Sequence, residues 1–471
     1  MNMPHATTPL QRRVMAMVGA NAFANALLVS TVNIALPAIA TDLAIDATLL
    51  NWIPLIFLAA SATFILPFAR LADRLGRKRV CLAGIVGVML ASILAAIASS
   101  AEILLAMRLL QGICAAGGFV TVISIVSSAL PIHMRGRGFG VIASTMYLGL
   151  TVGPLLGGFV VDHYGWRWTF LIQIPFSAFA LGIGWFCIRD EWFGAAYGSF
   201  DFAGAFIYGV AIFALAYGVA FLPSVAGLAS IAFSLTAIAG FLALETRLKE
   251  PLLNVRLFRT HRTFAYSCAA AFLMYAATFS NVVLMSLYLQ YLKGMSAQVA
   301  GLVMTAQPLA IAMGAPIAGR LSDRFEPRFV ASAGIALTGL GLVMLALIGS
   351  ATGLAYIVAS LVVSGIGFAL FAPVNANAVM SSVEPAHYGT ASGAHASMRV
   401  IGQMISMIVV TLIFALVIGR VQITPASYAA LGQSISLSFG VMALLCVPAG
   451  YFSFYRGNIR NHGNADKTPI T

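Results

Sequence analysis

Charge is scarce in this sequence of 471 residues, and long polar stretches are missing. Asp, Glu, Lys and Arg together make up 8% of the residues, whereas hydrophobic residues make up 61%. About a quarter of the residues in a typical soluble domain are charged, so this composition excludes a soluble globular protein. The 5 cysteines show no paired spacing, and we expect no disulfide and no metal site from them.

Motifs for ATP use and for covalent chemistry are also absent. The sequence contains no Gly-x4-Gly-Lys-Ser/Thr loop, which excludes ATP-driven transport by this chain alone. Its apolar stretches contain no acid pair, metal-ligand cluster or nucleophile–base set. The longest connection between them, 245–263, has 19 residues and leaves no room for a separate soluble domain. We therefore predict a protein that is not an enzyme, binds no metal and has no cofactor.

Fourteen apolar stretches account for most of the chain, and each is long enough to cross a bilayer. A helix needs roughly 20 apolar residues to span a hydrocarbon core of about 30 Å, and helices satisfy the backbone of single segments in lipid. The first stretch exceeds the roughly 7–15 apolar residues of a signal-peptide core, so we expect it to be retained. We predict an all-α polytopic membrane protein with spans near 14–37, 50–69, 80–99, 103–128, 139–161, 168–188, 203–222, 226–244, 264–292, 297–318, 329–348, 353–379, 390–418 and 433–455.

Basic residues lie almost entirely on alternate sides of these spans. If the N-terminus is cytoplasmic, all but five of the 26 Lys and Arg residues fall in cytoplasmic segments. Arg167, Lys293 and Arg420 are then outside, while Arg108 and Arg399 lie within spans. This positive-inside bias places both termini in the cytoplasm and the protein in the inner (plasma) membrane. The net charge of +12 is spread over many short connections, which argues against a nucleic-acid-binding surface.

An internal repeat is visible at an offset of 250 residues. Both copies are expected in a cytoplasmic loop that follows the second helix of a six-helix unit. Two halves related by a repeat are typical of secondary transporters, with the substrate site near the midplane between them. We predict six-helix bundles at 14–188 and 264–455, with a two-helix hairpin, 203–244, inserted between them. The paired residues are Arg70, Leu71, Asp73 and Arg74 in the first copy and Arg320, Leu321, Asp323 and Arg324 in the second.

Three motifs make the chain similar to a known family. The segment Arg70–Arg79 resembles the loop signature of the major facilitator superfamily, and Arg108-Leu-Leu-Gln111-Gly112 resembles its fourth-helix arginine motif. Gly149-Leu-Thr-Val-Gly153-Pro154-Leu-Leu-Gly157-Gly158 resembles the fifth-helix signature associated with antiporters. With fourteen spans, the chain is similar to the drug:proton antiporter branch that carries two extra central helices. The resemblance implies the major facilitator fold and a multidrug efflux transporter driven by an ion gradient, expected to be protons.

The charges of the repeat indicate a cytoplasmic gate. Asp73 can pair with Arg77 and face the positive N-terminal end of the thirteenth helix near Thr390. Ion pairs of about 1 kcal/mol can bias a moving interface between states that differ by a few kcal/mol. Lys78 and Arg79 are interpreted as charges that only set topology. The predicted gating residues here are Arg70, Asp73, Arg74, Gly76, Arg77, Asp323 and Arg324.

The fifth span adds a second group of conformational candidates. Gly149, Gly153 and Gly157 recur every four residues and so share one helix face, which lets another helix approach closely. Pro154 removes a backbone hydrogen bond and can bend the helix. Generic membrane packing is the alternative interpretation, but the neighbouring signatures favour a pivot or seal between the halves. We predict this functional role for Gly149, Gly153, Pro154, Gly157 and Gly158.

Polar side chains within the spans are candidates for substrate binding or coupling, because lipid penalises them. Arg108 is close enough to the outer end of its helix to snorkel, whereas Arg399 is deeper and should line a cavity or bond to carbonyls. His395 could titrate, although a hydrogen-bonded bystander is the favoured interpretation. The candidates are Arg108, Gln111, Asn25, Asn33, Asn281, Gln307, Asn375, His395 and Arg399.

A membrane-embedded carboxylate is the missing element. The drug:proton antiporter branch, which the chain resembles, usually carries an acidic residue on its first helix, at the position of Leu28 in this sequence. None of the 14 Asp and Glu residues lies within a predicted span. Proton exchange would then use His395, an interface carboxylate such as Asp42 or Asp73, or the substrate itself. A cavity without a carboxylate also favours neutral, zwitterionic or anionic compounds over quaternary ammonium compounds, although aromatic faces can hold a cation weakly.

The most specific prediction is a secondary transporter that exports small amphipathic drug-like molecules or metabolites by alternating access. Two alternatives remain: a receptor or sensor that kept the fold without transport, and an importer or uniporter of a neutral or anionic solute. The expected partners are a small-molecule substrate and the lipid bilayer, with no nucleic acid and no ATP. We expect a monomer.

Overall fold

The computed structural model describes residues 8–194, 201–222, 224–248, 252, 255–383 and 388–458. Within these ranges it contains fourteen helices that are long and apolar enough to cross a membrane, as the hydropathy pattern predicted. In chain order they are α1 (Pro9–Asp42), α2 (Ala47–Leu75), α3 (Arg77–Ala96), α4 (Ala101–Ala129), α5 (Gly138–Tyr164), α6 (Trp168–Cys187), α7 (Phe202–Val219), α8 (Val225–Glu245), α9 (Arg262–Leu292), α10 (Ala297–Ser322), α11 (Pro327–Ala346), α12 (Leu354–Ser381), α13 (Gly393–Val417) and α14 (Pro425–Tyr455).

Several helices continue beyond these apolar limits, and this corrects one prediction. Helical structure extends α10 to Arg324 and begins α13 at Tyr388. Because α2 ends at Leu75, the repeat residues Arg70 and Asp73 lie on its last turns and not in a loop. The connection between α2 and α3 is the single residue Gly76, whose φ of 107 lies in a region that L side chains rarely adopt.

The helix α9 is interrupted in the middle. Its first part ends at Thr278 and the next helical segment begins at Asn281. The backbone N–H of Ser280 donates to the Ser406 hydroxyl of α13 at 3.1 Å, so this N–H leaves the helical hydrogen-bond ladder. Insertion of a side chain into the ladder is a common cause of a bend, and here it ties the bend of α9 to α13.

The helices pack as two groups with a hairpin at the side. The N-half (α1–α6) and the C-half (α9–α14) meet along α1, α2 and α5 on one side and α9, α10 and α13 on the other. The hairpin formed by α7 and α8 packs on α2 and α13, where the Tyr208 hydroxyl donates to the Ala62 carbonyl at 3.1 Å. The hairpin therefore lies at the side of the molecule, where its first helix contacts one helix of each half.

Hydrogen bonds join the two halves at the end that the charge pattern assigns to the outside. Asp162 of α5 accepts the backbone N–H groups of Ala297 and Gln298, at 3.1 and 2.8 Å. The Gln290 amide of α9 donates to the Ile34 carbonyl of α1 at 3.0 Å. We call this group of contacts the outer seam. It shows the conformation in which the outer end of the interface is closed.

Candidate functional site

A cavity of about 240 Å³ lies between the two halves. Helices α1, α2, α4 and α5 contribute its N-half wall, and α9, α10, α12 and α13 contribute the C-half wall. Most of the wall is apolar or aromatic, as in typical small-molecule sites. The position between two repeated halves is the one that the sequence predicted.

One face of α1 supplies a row of amides to this cavity. Asn21, Asn25 and Asn33 all line it, and their spacing in multiples of four places them on one side of the helix. The Asn25 amide donates to the Asn21 side-chain oxygen at 2.9 Å. The side-chain oxygens of Asn25 and Asn33 are buried and accept no hydrogen bond within the protein. The cavity face of α1 thus contains two acceptor oxygens that the protein leaves unpaired.

Arg399 of α13 lies on the opposite wall. It is half-buried, and its Nη1 donates to the Met146 sulfur of α5 at 3.6 Å, which links the two halves at mid-depth. Its Nε has no hydrogen-bond partner within the protein. Gln403, one turn further along α13, and Gln307 of α10 also line the cavity. The sequence analysis identified Arg399 and Gln307 and missed Gln403, although its four-residue spacing from Arg399 was a usable signal.

Arg399 is the only charged residue in the described lining of the cavity. Tyr147, Tyr275 and several phenylalanines complete the wall, so a flat apolar molecule could stack there. Leu28, at the position of the usual helix-1 acid, is fully buried in the protein core and does not line the cavity. The cavity thus combines one cation, amides and aromatic rings.

Arg108 and Gln111, predicted as substrate or coupling candidates, lie outside the cavity lining. Arg108 is 1% exposed; it donates to the Ile53 carbonyl at 3.1 Å and to Gln111 at 2.8 Å. Its guanidinium also lies 4.4 Å from the centre of the Phe57 ring. Gln111 in turn donates to Ser92. Snorkelling is therefore wrong for Arg108, which is anchored inside the N-half between α2, α3 and α4.

Asn281, Asn375 and His395 also lie outside the described cavity lining. Asn281 is fully buried at the bend of α9, with no hydrogen bond to either side-chain polar atom. His395 is half-buried one turn before Arg399, and its Nδ1 has no hydrogen-bond partner within the protein. Asn375 donates to the Ser267 carbonyl at 3.0 Å and accepts from Arg456 at 2.9 Å. Their predicted roles in binding or coupling remain predictions.

Arg456 is one of the basic residues that the charge pattern assigns to cytoplasmic segments, and the structure shows that it is buried. The residue follows α14 directly and is 0% exposed, because its guanidinium reaches Asn375 of α12 inside the C-half. Burial lowers the pKa of Arg456 to about 10, while the charge of Glu326 acts in the opposite direction. Arg456 therefore remains a cation at neutral pH.

The predicted ion pair of the cytoplasmic gate is present. Arg77 donates through Nε to Asp73 at 2.9 Å, and its Nη2 lies 2.7 Å from the same carboxylate oxygen. Arg77 also bonds to the Ser124 carbonyl and the Ser128 hydroxyl at the end of α4, so all these contacts lie within the N-half. Arg70 is half-buried, and Arg74 and Arg324 are exposed at the same end of the molecule. The side chains of Asp323 and Thr390, and with them the predicted contact at α13, lie outside the described residues.

Lys78 has more than a topological role. Its Nζ donates to the Ile188 carbonyl at the end of α6, at 2.8 Å. Its backbone N–H donates to Glu191 at 2.7 Å, and Arg79 lies 3.7 Å from the other oxygen of the same carboxylate. Lys78 and Arg79 thus contact the chain after α6 in addition to the topological role predicted for them. Glu191, which the sequence analysis did not select, is the common partner.

The glycines of α5 face two different neighbours. Gly149, Gly153 and Gly157 pack on α1 within the N-half; a Cβ at Gly149 would lie 2.7 Å from the Phe23 carbonyl oxygen. Gly158 faces the backbone of Ala297 on α10, where a Cβ would collide. The carbonyl of Pro154 likewise leaves no space for a Cβ at Gly301 of α10. The first three glycines thus set packing within one half, and Gly158 and Pro154 belong to the contact between the halves.

Comparison with known proteins agrees with this geometry. A family model described as Major Facilitator Superfamily matches residues 18–248 and 267–469, which is most of the chain. The chain belongs to the Major Facilitator Superfamily. It is therefore a multi-pass plasma-membrane transporter and not an enzyme.

Individual members of the superfamily cover most of this transporter. It is 31% identical over 399 residues to the Multidrug resistance protein Stp of Mycobacterium tuberculosis, covering 83% of this chain and 73% of that protein. It is 26% identical over 389 residues to the Riboflavin transporter RibZ of Clostridioides difficile, covering 82% and 84%. A crystal structure of a bacterial homologue of the human lysosomal transporter Spinster, inward-facing and unoccupied, superposes with a TM-score of 0.69 at 17% identity, covering 99% of this chain and 100% of that one.

Proposed function

We propose that this transporter exports small amphipathic molecules that are neutral, zwitterionic or anionic, by alternating access between the two halves. The observation that carries the proposal is the described cavity lining, in which Arg399 is the only charged residue among amides and aromatic rings. A permanent cation would meet no carboxylate there and would remain unpaired at low dielectric. An anion or a carbonyl oxygen would instead meet the half-buried guanidinium of Arg399 at the cavity wall.

Alternating access is supported by the contacts and charges found at the two ends of the molecule. The outer seam closes the outer end, while Asp73 and Arg77 are presented at the inner end. In the opposite state the seam must open, and contacts of the inner gate must replace it. Rocking of the two halves around a fixed central site is the general mechanism of transporters built from such repeats.

Export is supported by the relative named as a multidrug resistance protein and by the glycine signature of α5. We also propose that a proton gradient drives it. Since no carboxylate lies in the described lining, the proton would be carried by His395, by Asp42 or Asp73 at the interfaces, or by the substrate. Of these candidate proton carriers, His395 is the closest to Arg399, because it lies one helical turn away on α13.

Inverted and right-side-out vesicles test both direction and substrate charge. Uptake into inverted vesicles of an anionic fluorescein-type dye and of the cation ethidium should be compared, with and without an inward-acid pH gradient. We expect gradient-dependent uptake of the anionic dye in inverted vesicles and little uptake of ethidium. Robust transport of ethidium that survives Arg399→Gln would contradict the proposed substrate class.

Import or uniport of a neutral solute is the second candidate. It is favoured by the 26% identity to a riboflavin transporter, since riboflavin is a flat, uncharged, hydrogen-bonding molecule of the kind that the cavity could hold. Riboflavin uptake by right-side-out vesicles, independent of a pH gradient, would favour this candidate over export.

A further inference from the structure

The chain that leaves α6 folds back onto the junction between α2 and α3. We call residues 188–194 the strap. The carbonyl of Trp192 accepts the backbone N–H of Arg77 at 2.8 Å, and the N–H of Gly194 donates to the backbone carbonyl of Asp73 at 3.0 Å. Lys78 bonds to the Ile188 carbonyl at the start of the strap. The strap is thus joined to Asp73 and Arg77 of the proposed gate and to the neighbouring Lys78.

Glu191 forms the centre of this contact. Its Oε1 accepts the backbone N–H of Lys78 at 2.7 Å and that of Trp192 at 3.2 Å, and its Oε2 lies 3.7 Å from Nε of Arg79. Only 14% of its side chain is exposed. The helix α3 has no side-chain cap and no acid in its own first turn. Glu191 therefore provides, from more than a hundred residues away, the carboxylate that a helix N-terminus favours.

Two glycines allow this close approach. A Cβ at Gly76 would lie 2.6 Å from the carboxyl carbon of Glu191, and a Cβ at Gly194 would collide with the carboxylate of Asp73. Gly76 also needs its positive φ to turn the chain between α2 and α3. The backbone on each side of the contact is therefore pressed against a carboxylate, Glu191 on one side and Asp73 on the other.

We propose that Glu191 is a positioning residue of the inner gate, which anchors the strap and so holds Asp73 and Arg77 ready to meet the C-half. This inference rests on the proposed alternating access. The hydrogen bonds and the ion pair of the strap given above lie within the N-half, so they are retained when the halves rock as rigid bodies. Loss of Glu191 would free the gate residues, and the inner closure of the outward-facing state would weaken. The population would then shift toward the inward-facing state.

Hydrogen exchange measured by mass spectrometry on the full-length protein tests the anchor and the shift separately. In Glu191→Ala, the amides of 77, 78 and 192 should exchange roughly tenfold faster, as expected for loss of a charge-assisted hydrogen bond. The amides of Ala297 and Gln298, which bond to Asp162 in the outer seam, should exchange more slowly. The kcat for transport should fall with little change in KM. The variant Glu191→Gln, which keeps an acceptor without the charge, should give intermediate values.

Asp190→Ala is the matched control, because Asp190 is the neighbouring acid and is exposed; it should leave exchange and kcat unchanged. Unchanged amide exchange at 77 and 78 in Glu191→Ala would contradict the proposal that Glu191 anchors the strap. Faster exchange at 77 and 78 with unchanged exchange in the outer seam would contradict the proposal that this anchor stabilises the inner gate. If Glu191→Ala does not fold, the same comparisons apply to Glu191→Gln. If the wild-type protein transports none of the test compounds, the proposed function is refuted. The role of Glu191 in anchoring the strap is then tested by the hydrogen-exchange results alone.

Discussion

Arg399 and Arg108 are both embedded arginines, but their surroundings give them different chemistry. Arg399 faces a cavity, and its Nε has no hydrogen-bond partner within the protein. Arg108 donates to a carbonyl and an amide and lies over an aromatic ring, so its charge is held entirely within the N-half. Removing the first should affect ligands, and removing the second should affect stability.

Arg399→Gln should lower kcat/KM for an anionic substrate by roughly 10–100-fold, because a hydrogen bond to a charged group contributes about 1.5–3 kcal/mol. Transport of a neutral substrate should fall much less. Transport kinetics in proteoliposomes with one anionic and one neutral compound measure the difference. Arg262→Gln, at an exposed arginine at the start of α9, is the matched control. Equal losses for both compounds would remove Arg399 from charge recognition.

Arg108→Gln should destabilise the protein by about 1–3 kcal/mol, because Ile53 and Gln111 would be left with unpaired buried acceptors. The KM should stay close to that of the wild type, since Arg108 does not line the cavity. Thermal unfolding of the purified protein, followed alongside KM, tests both statements. An unchanged melting temperature combined with loss of pH-gradient dependence would instead support the coupling role predicted from the sequence.

Among the elements, α5 connects packing within one half to contact between the halves. Its glycines meet α1 on one face, and Gly158 meets α10 at the outer seam.

Charged residues that follow α6 and α14 also connect these helices to other parts of the same half. Glu191, soon after α6, binds the basic start of α3, whereas Arg456, directly after α14, is a buried cation whose pKa is influenced by Glu326 beside the start of α11.

Gly158→Ala should reduce the transport rate strongly while the protein still folds. The added Cβ would collide with the backbone of Ala297, so the outer seam could not close fully and the inward-facing state would be disfavoured. Gly140→Ala, on the same helix with open space around it, is the control and should transport normally. Transport rates at saturating substrate measure the effect. Normal transport by Gly158→Ala would show that closure of the seam does not need this close approach.

At the scale of the whole molecule, orientation follows from the charges of the connections. Reporter fusions after Arg79 and Lys249 should be cytoplasmic, because these connections are rich in arginine and lysine. Fusions near Asp162 and Lys293 should be outside. Activity of paired cytoplasmic and external reporters measures each site. A cytoplasmic result at Lys293 together with an external result at Arg328 would contradict the orientation.

The sequence by itself determined the number of helices, the superfamily and the side of the molecule on which the basic residues gather. In lipid, a long apolar segment has essentially one way to satisfy its backbone, and the distribution of lysine and arginine then selects the orientation. The Asp73–Arg77 pair was also predictable, because the two opposite charges are close in the sequence, although Gly76 separates them onto two helices. Here local pattern and physical outcome correspond closely.

Only the tertiary structure decided which polar residues face the cavity and which are covered. Helical spacing places Asn25, Asn33 and Arg108 on particular faces, but it does not tell which neighbouring helix lies against each face. The contact of Glu191 with Lys78 joins residues 113 positions apart, and nothing in the local sequence of either residue specifies it. Such contacts are decided by packing between distant segments, because burial and hydrogen bonding depend on the partner as much as on the residue itself.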